Sequence, residues 1–242
     1  MPTIRRATIN PALFNPDLSW LPYNLQLRDF ENTMAEVYDF IYELDIKAVE
    51  TGWQRLEDML PAQSLSGMMS AMVKVSLAKY SRALVGNLLE NGFPDLIPAG
   101  MYRGNRIADG EGVEVKSTNK PGGAVDMHSA HEGWICVFVY ETDTDPYTPL
   151  DLRRPFHFTE IFCGYVFESD YRLNGRGTRG TRTATLDQRG LPHFRKFWVY
   201  ADEDARARQW FRNVGYMSPD LGRRPRHEIE YGETWYRGPG GL

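Results

Sequence analysis

Apolar residues recur at steps of three and four from Asp29 to about Leu60. Phe30, Met34, Val37, Ile41 and Leu44 share one helical stripe, and Pro61 closes the stretch. A second stripe, Val73, Leu77, Tyr80, Leu84 and Leu88, predicts a helix from about Ser64 to Glu90, with Lys74, Lys79 and Arg82 off the stripe and Asn91-Gly92 as its stop. The texture then changes. Phe93–Pro98 is short and apolar, and Tyr102–Ile107 and Val113–Thr118 read as strands joined by a turn at Asp109–Gly112. Trp134–Tyr140 is continuously apolar, as suits a strand buried on both faces. Pro155–Phe167, Thr181–Leu186 and Phe194–Tyr200 add strand patterns. A final helix runs from Asp202 to about Asn213, acidic in its first turn and basic later, as the helix dipole favours.

Residues 1–27, rich in Pro and Asn, read as an irregular arm packed on the body or on a second subunit. Asn174–Gly180 is a Gly/Arg loop, and the tail from Ser218 is irregular. Helices, then a strand cluster, then mixed elements predict an α/β (α+β) chain with a central mixed β-sheet flanked by helices. A length of 242 residues fits a single domain. Within it, residues 1–63 form an arm and helix, 64–140 a core, and 141–242 a C-terminal part.

No apolar run reaches the roughly 18 residues of a membrane span. The opening MPTIRRATINPALF lacks a signal-peptide core. Cys136 and Cys163 sit in apolar strand-like runs, which favours reduced, buried thiols. A cytoplasmic protein with no membrane partner is expected. The net charge of −4 hides an asymmetry. Asp17–Asp58 holds ten acids against three bases, whereas Arg172–Arg226 holds thirteen bases against five acids. A basic segment can grip a polyanion, or it can simply be solvated.

The chemistry lies in FPDLIPAGMYRGNRIADGEGVEVKST. Side chains alternate faces along a strand, so Val113 and Val115 point inward while Glu114 and Lys116 share the other face. Asp95, nineteen residues earlier, comes beside Glu114 if the chain folds back as a hairpin. Paired carboxylates are costly unless a cation joins them. Mg2+ takes one or two carboxylates, waters and phosphate oxygens. The carbonyl of Val115 is a further candidate ligand. Lys116 can orient or deprotonate the attacking water, or stabilise charge in the transition state.

Pro94-Asp95 followed by Glu114-Val115-Lys116 resembles the PD-(D/E)xK nuclease superfamily, most closely its type II restriction endonucleases. The resemblance covers about residues 64–140. It implies a restriction-endonuclease-like fold, Mg2+ dependence and a homodimer cutting double-stranded DNA at a specific sequence. It also implies Asp95 and Glu114 as metal ligands, Lys116 as the catalytic lysine, and a helix-borne accessory carboxylate, for which Glu90 and Glu43 are candidates.

Ser117, Thr118, Asn119 and Lys120 follow the lysine and are candidates for the DNA backbone. Arg176, Arg179 and Arg182, in a Gly/Thr-rich stretch with Arg172 and Arg189, are candidates for base or phosphate contacts. His128, His131 and Glu132 invite a zinc site, but no further ligands lie close in sequence, and a cleft-lining loop is preferred. Competing functions are a repair or recombination nuclease of the same superfamily, a non-catalytic DNA-binding protein, and an interaction protein using the acidic helices.

Overall fold

The computed structural model describes residues 4–127, 129–174, 183–186, 188–217 and 219. Helix α1, Leu27–Glu50, begins where Asp29 turns back to accept the Gln26 N–H at 2.8 Å. It buries Phe30, Met34, Val37 and Ile41 of the expected stripe, with Tyr38 beside them, while Leu44 is only half-buried. It stops ten residues short of expectation, because Thr51-Gly52 makes a turn in which Gly52 takes φ +87°. A short α2, Leu56–Met59, follows. Helix α3, Ala62–Tyr80, packs on α1 and buries Leu65, Met69, Val73 and Leu77.

The sequence stripe carried this helix to Glu90, but the chain leaves it at Ser81 and runs into strand β1, Leu84–Gly86. Leu84 continues the apolar periodicity from inside a sheet, and Leu88 is exposed. Strand β2, Leu96–Pro98, pairs antiparallel with β1 and meets β3, Val113–Thr118, at Leu96 and Val113. The partner of β3 in the hairpin is therefore β2. Tyr102–Ile107, expected as a strand, instead contains a 3-10 turn at Arg103–Asn105, where Gly104 and Asn105 take positive φ. Gly112 permits the close approach of β2 to β3: a Cβ there would lie 1.9 Å from the Leu96 carbonyl oxygen.

Strands β4, Val125–Met127, β5, Gly133–Glu141, and β6, His157–Val166, follow, then β7, Tyr171–Leu173, and β8, Ala184–Leu186. Where a strand was expected to start at Phe194, the chain forms α4, Leu191–Phe194, and a 3-10 turn before β9, Trp198–Ala201. The last expected helix breaks at extended Arg208 into α5, Glu203–Ala207, and α6, Gln209–Val214. The central sheet runs β1-β2-β3-β5-β6-β9, mixed because β3 and β5 are parallel. A smaller sheet, β4-β8-β7, lies apart in pairing.

Two apolar clusters form around the central sheet. Trp134, Cys136, Phe138 and Tyr140 of β5 join α1, α3 and the N-terminal arm, which packs on this chain's own body through buried Trp20. Ile135, Val137 and Val139, on the opposite face, join the small sheet and α4 to α6. Trp198, Trp210 and Phe211 are buried in this second cluster. Fully buried Glu160 on β6 ties the cluster together. It accepts from the Gly122 N–H, from Arg208 at 2.6 Å and from Trp210 Nε1 at 2.9 Å. Among the described residues, no helix is long and apolar enough to cross a membrane.

Candidate active site

The site forms where β2 and β3 part. They share one paired position, Leu96 with Val113. Beyond it, side chains replace strand partners along the β3 edge. Asp95 Oδ2 accepts the Val115 N–H at 3.1 Å, and Ser70 Oγ on α3 accepts the Ser117 N–H at 2.8 Å. Asp95 therefore sits across from Glu114, and its own N–H donates to Glu114 Oε2 at 3.2 Å. Lys116 Nζ lies 2.5 Å from Glu114 Oε1. The hairpin expected to bring Asp95 to Glu114 is thus present.

Glu114 is nearly buried, whereas Lys116 and Asp95 are partly open to a cleft of about 560 Å3. Burial pushes the Glu114 carboxyl above its usual range, and the Asp95 charge adds to this. The Lys116 ammonium opposes both. Among the described residues no three His, Cys, Asp or Glu side chains gather into a metal cage. The donor set is one pair of carboxylates with an open side. That suits a hard cation that keeps its own waters, such as Mg2+, and does not suit structural zinc.

Two residues of the cleft were not singled out as site residues from the sequence. Lys74 on α3 reaches Asp95 Oδ1 at 3.2 Å. Asn87 holds the wall of the cleft: its Nδ2 donates to the Pro94 and Ile107 carbonyls at 3.0 and 2.9 Å, and its Oδ1 accepts the Leu89 and Ile107 N–H groups. Near the site but lining the neighbouring groove, Tyr171 on β7 buries its hydroxyl with no hydrogen-bond partner among the described residues. Burial pushes its phenol up, and the charge of Glu114 adds to the shift.

Other candidates fall differently. Glu90 and His131 line the cleft, and His131 stacks on Phe93 with ring centroids 4.1 Å apart. Glu43 is exposed on α1 and does not line it, because its neighbours Ile41 and Asp45 take the buried side of the helix. Ser117 shares its face of β3 with Val113 and Val115, and its hydroxyl is buried against α3, away from Glu114 and Lys116. Thr118 is also buried, and its oxygen accepts the Lys120 N–H. Asn119 and Lys120 are exposed, and Lys120 pairs with Asp126 at 3.4 Å.

Arg176, Arg179, Arg182 and His128 lie outside the described residues. Of the basic C-terminal run, Arg208 is bound to Glu160 and Glu141, and Arg195 holds the Gly122 carbonyl at 2.8 Å. These two tie the fold together. A larger groove, about 1010 Å3, is faced by Arg172 and Arg189 but equally by Glu132 and Glu168, so its charge is mixed. No protein-family model matches the chain, and no curated protein matches it.

Proposed function

We propose that this chain is a Mg2+-dependent endonuclease that hydrolyses double-stranded DNA at a specific sequence, in the manner of a type II restriction enzyme. In this reading it works as a cytoplasmic homodimer with a restriction-endonuclease-like fold. One observation carries the reading. Asp95, Glu114 and Lys116 come from two diverging strands into one cleft, with the backbone of β2 and β3 holding the two carboxylates against each other.

Asp95 and Glu114 would hold the metal, with the Val115 carbonyl as a further oxygen. A bound divalent cation supplies activation of water and neutralisation of phosphate charge. Lys116 places an ammonium beside Glu114, where it orients the attacking water and stabilises charge developing on the phosphoryl oxygens. Glu114, bonded to both Lys116 and the Asp95 amide, keeps the lysine aimed into the cleft. Asn119 and Lys120, exposed just beyond β3, are placed to meet the DNA backbone.

The test is incubation of the purified protein with plasmid and phage DNA in Mg2+, in EDTA, and with Lys116→Ala in place of wild type. Discrete fragments that require Mg2+ and fade in the variant support a sequence-specific endonuclease. A metal-dependent smear keeps the nuclease and favours a repair or recombination enzyme. Binding without cleavage on any DNA, branched or methylated, leaves a DNA-binding protein and ends the enzymatic reading.

A further inference from the structure

Each of the four carboxylate oxygens at the site already has a donor. Two of these donors are backbone. Val115 N–H holds Asp95 Oδ2, and Asp95 N–H holds Glu114 Oε2. Both are fixed in place by the backbone at the β2–β3 junction. The other two are ammonium groups: Lys74 Nζ on Asp95 Oδ1 at 3.2 Å and Lys116 Nζ on Glu114 Oε1 at 2.5 Å. The two lysines neutralise the two carboxylates one for one.

The lysines are not equivalent. Lys116 shares a strand with its partner, and its side chain is 26% exposed. Lys74 comes from α3, its side chain is 37% exposed, and its contact is the longer one. Ion pairs that open to solvent are weak and exchange readily. A divalent cation arriving at these oxygens meets two fixed positive charges, and the looser one yields at lower cost. The ammonium so released still stands in the cleft, which Lys74 lines together with Lys116.

We propose that Lys74 is a displaceable counter-ion of Asp95. It holds the carboxylate in the metal-free protein, leaves it when a divalent cation binds, and then contacts a phosphate of the nucleic acid. This rests on the nuclease reading above. Lys74 is a positioning and phosphate-binding residue in this scheme, and it takes no proton from the reacting water.

Calorimetric titration with Mn2+ tests it on wild type, Lys74→Met, Lys74→Gln, Lys74→Arg and Asp95→Asn, with thermal melts to confirm folding. Both neutral variants should bind Mn2+ tighter than wild type, by about three- to tenfold, because a competing positive charge is gone. Lys74→Arg should stay near wild type, and Asp95→Asn should lose the site. In Ca2+, the neutral variants should bind duplex DNA more weakly, with a salt slope smaller by about one.

Unchanged or weaker Mn2+ affinity in both neutral variants, with Asp95→Asn still abolishing binding, overturns the counter-ion role and leaves the metal site standing. Tighter Mn2+ binding with an unaltered salt slope overturns the transfer to phosphate. Wild type and Asp95→Asn behaving alike toward Mn2+ overturns the metal reading, and the proposal with it.

Discussion

Lys116 and Glu114 are two residues apart, and strand alternation puts both on one face while Val113 and Val115 hold the other in the core. That arrangement was readable from four letters of sequence. Lys116→Ala should lower metal-dependent cleavage by about 10²–10⁴-fold while Mn2+ still binds, at least as tightly as to wild type because a competing ammonium beside Glu114 is gone, as single-turnover assays and calorimetry would show. Lys74 was not readable, because it meets Asp95 only once α3 docks beside β2 and β3. Asn87 was hidden for the same reason, since its partners lie on both sides of the cleft loop. Asp45 allows a separate test, away from the site. Burial, and next the charge of Glu57, push its carboxyl up to about 7. Between about pH 4 and pH 7 the folded chain keeps a proton that the unfolded chain releases, so this group's contribution to stability falls as pH rises through that window. Asp45→Asn removes the charge and keeps an oxygen for the Leu56 N–H. Its melting temperature should gain on wild type between about pH 5 and about pH 8; a gain that shrinks over that range would contradict the assignment.

At the scale of elements, α3 carries a polar line beside its buried stripe. Ser66 bonds the Tyr140 hydroxyl, Ser70 accepts the Ser117 N–H, and Lys74 reaches Asp95. These positions are four apart, so one face of the helix serves β5, β3 and the start of β2 in turn. Ser70→Ala should leave a buried amide unpaired and cost about 1–3 kcal/mol in urea unfolding. The helix itself was legible, but its end was not: Leu84 and Leu88 keep the helical spacing, although one is buried in β1 and the other is exposed. The sequence also suggested a strand at 102–107, where apolar Tyr102 and Ile107 flank a turn of positive φ at Gly104 and Asn105. Of the small sheet β4-β8-β7, β8 falls within the strand expected at Thr181–Leu186, whereas three-residue β4 and β7 are too short for alternation to register.

Across the whole molecule, one sheet separates two cores, and the mixed order was legible because long apolar β5 announces a strand covered on both faces. Cys136 and Cys163 face each other in register on β5 and β6, free and fully buried, and burial pushes the Cys136 thiol well up. A thiol-alkylating reagent should therefore leave the native protein unmodified and label both cysteines in denaturant; rapid native labelling would contradict this burial. The proposed homodimer is tested by sedimentation. A species at the 27.8 kDa of one chain that makes concerted double-strand cuts would rule it out.

The carboxylate of Glu160 has an optical consequence. It holds both the amide of Gly122, in the loop that carries Asn119 and Lys120, and the indole N–H of Trp210. Indole emission responds to the charge and hydrogen bonding of that N–H. Trp210 is therefore a built-in fluorophore for the loop that follows Lys116. Subtracting the spectrum of Trp210→Phe from that of wild type isolates its signal among the six tryptophans. A shift in that difference on adding DNA would report this loop engaging, with no label attached.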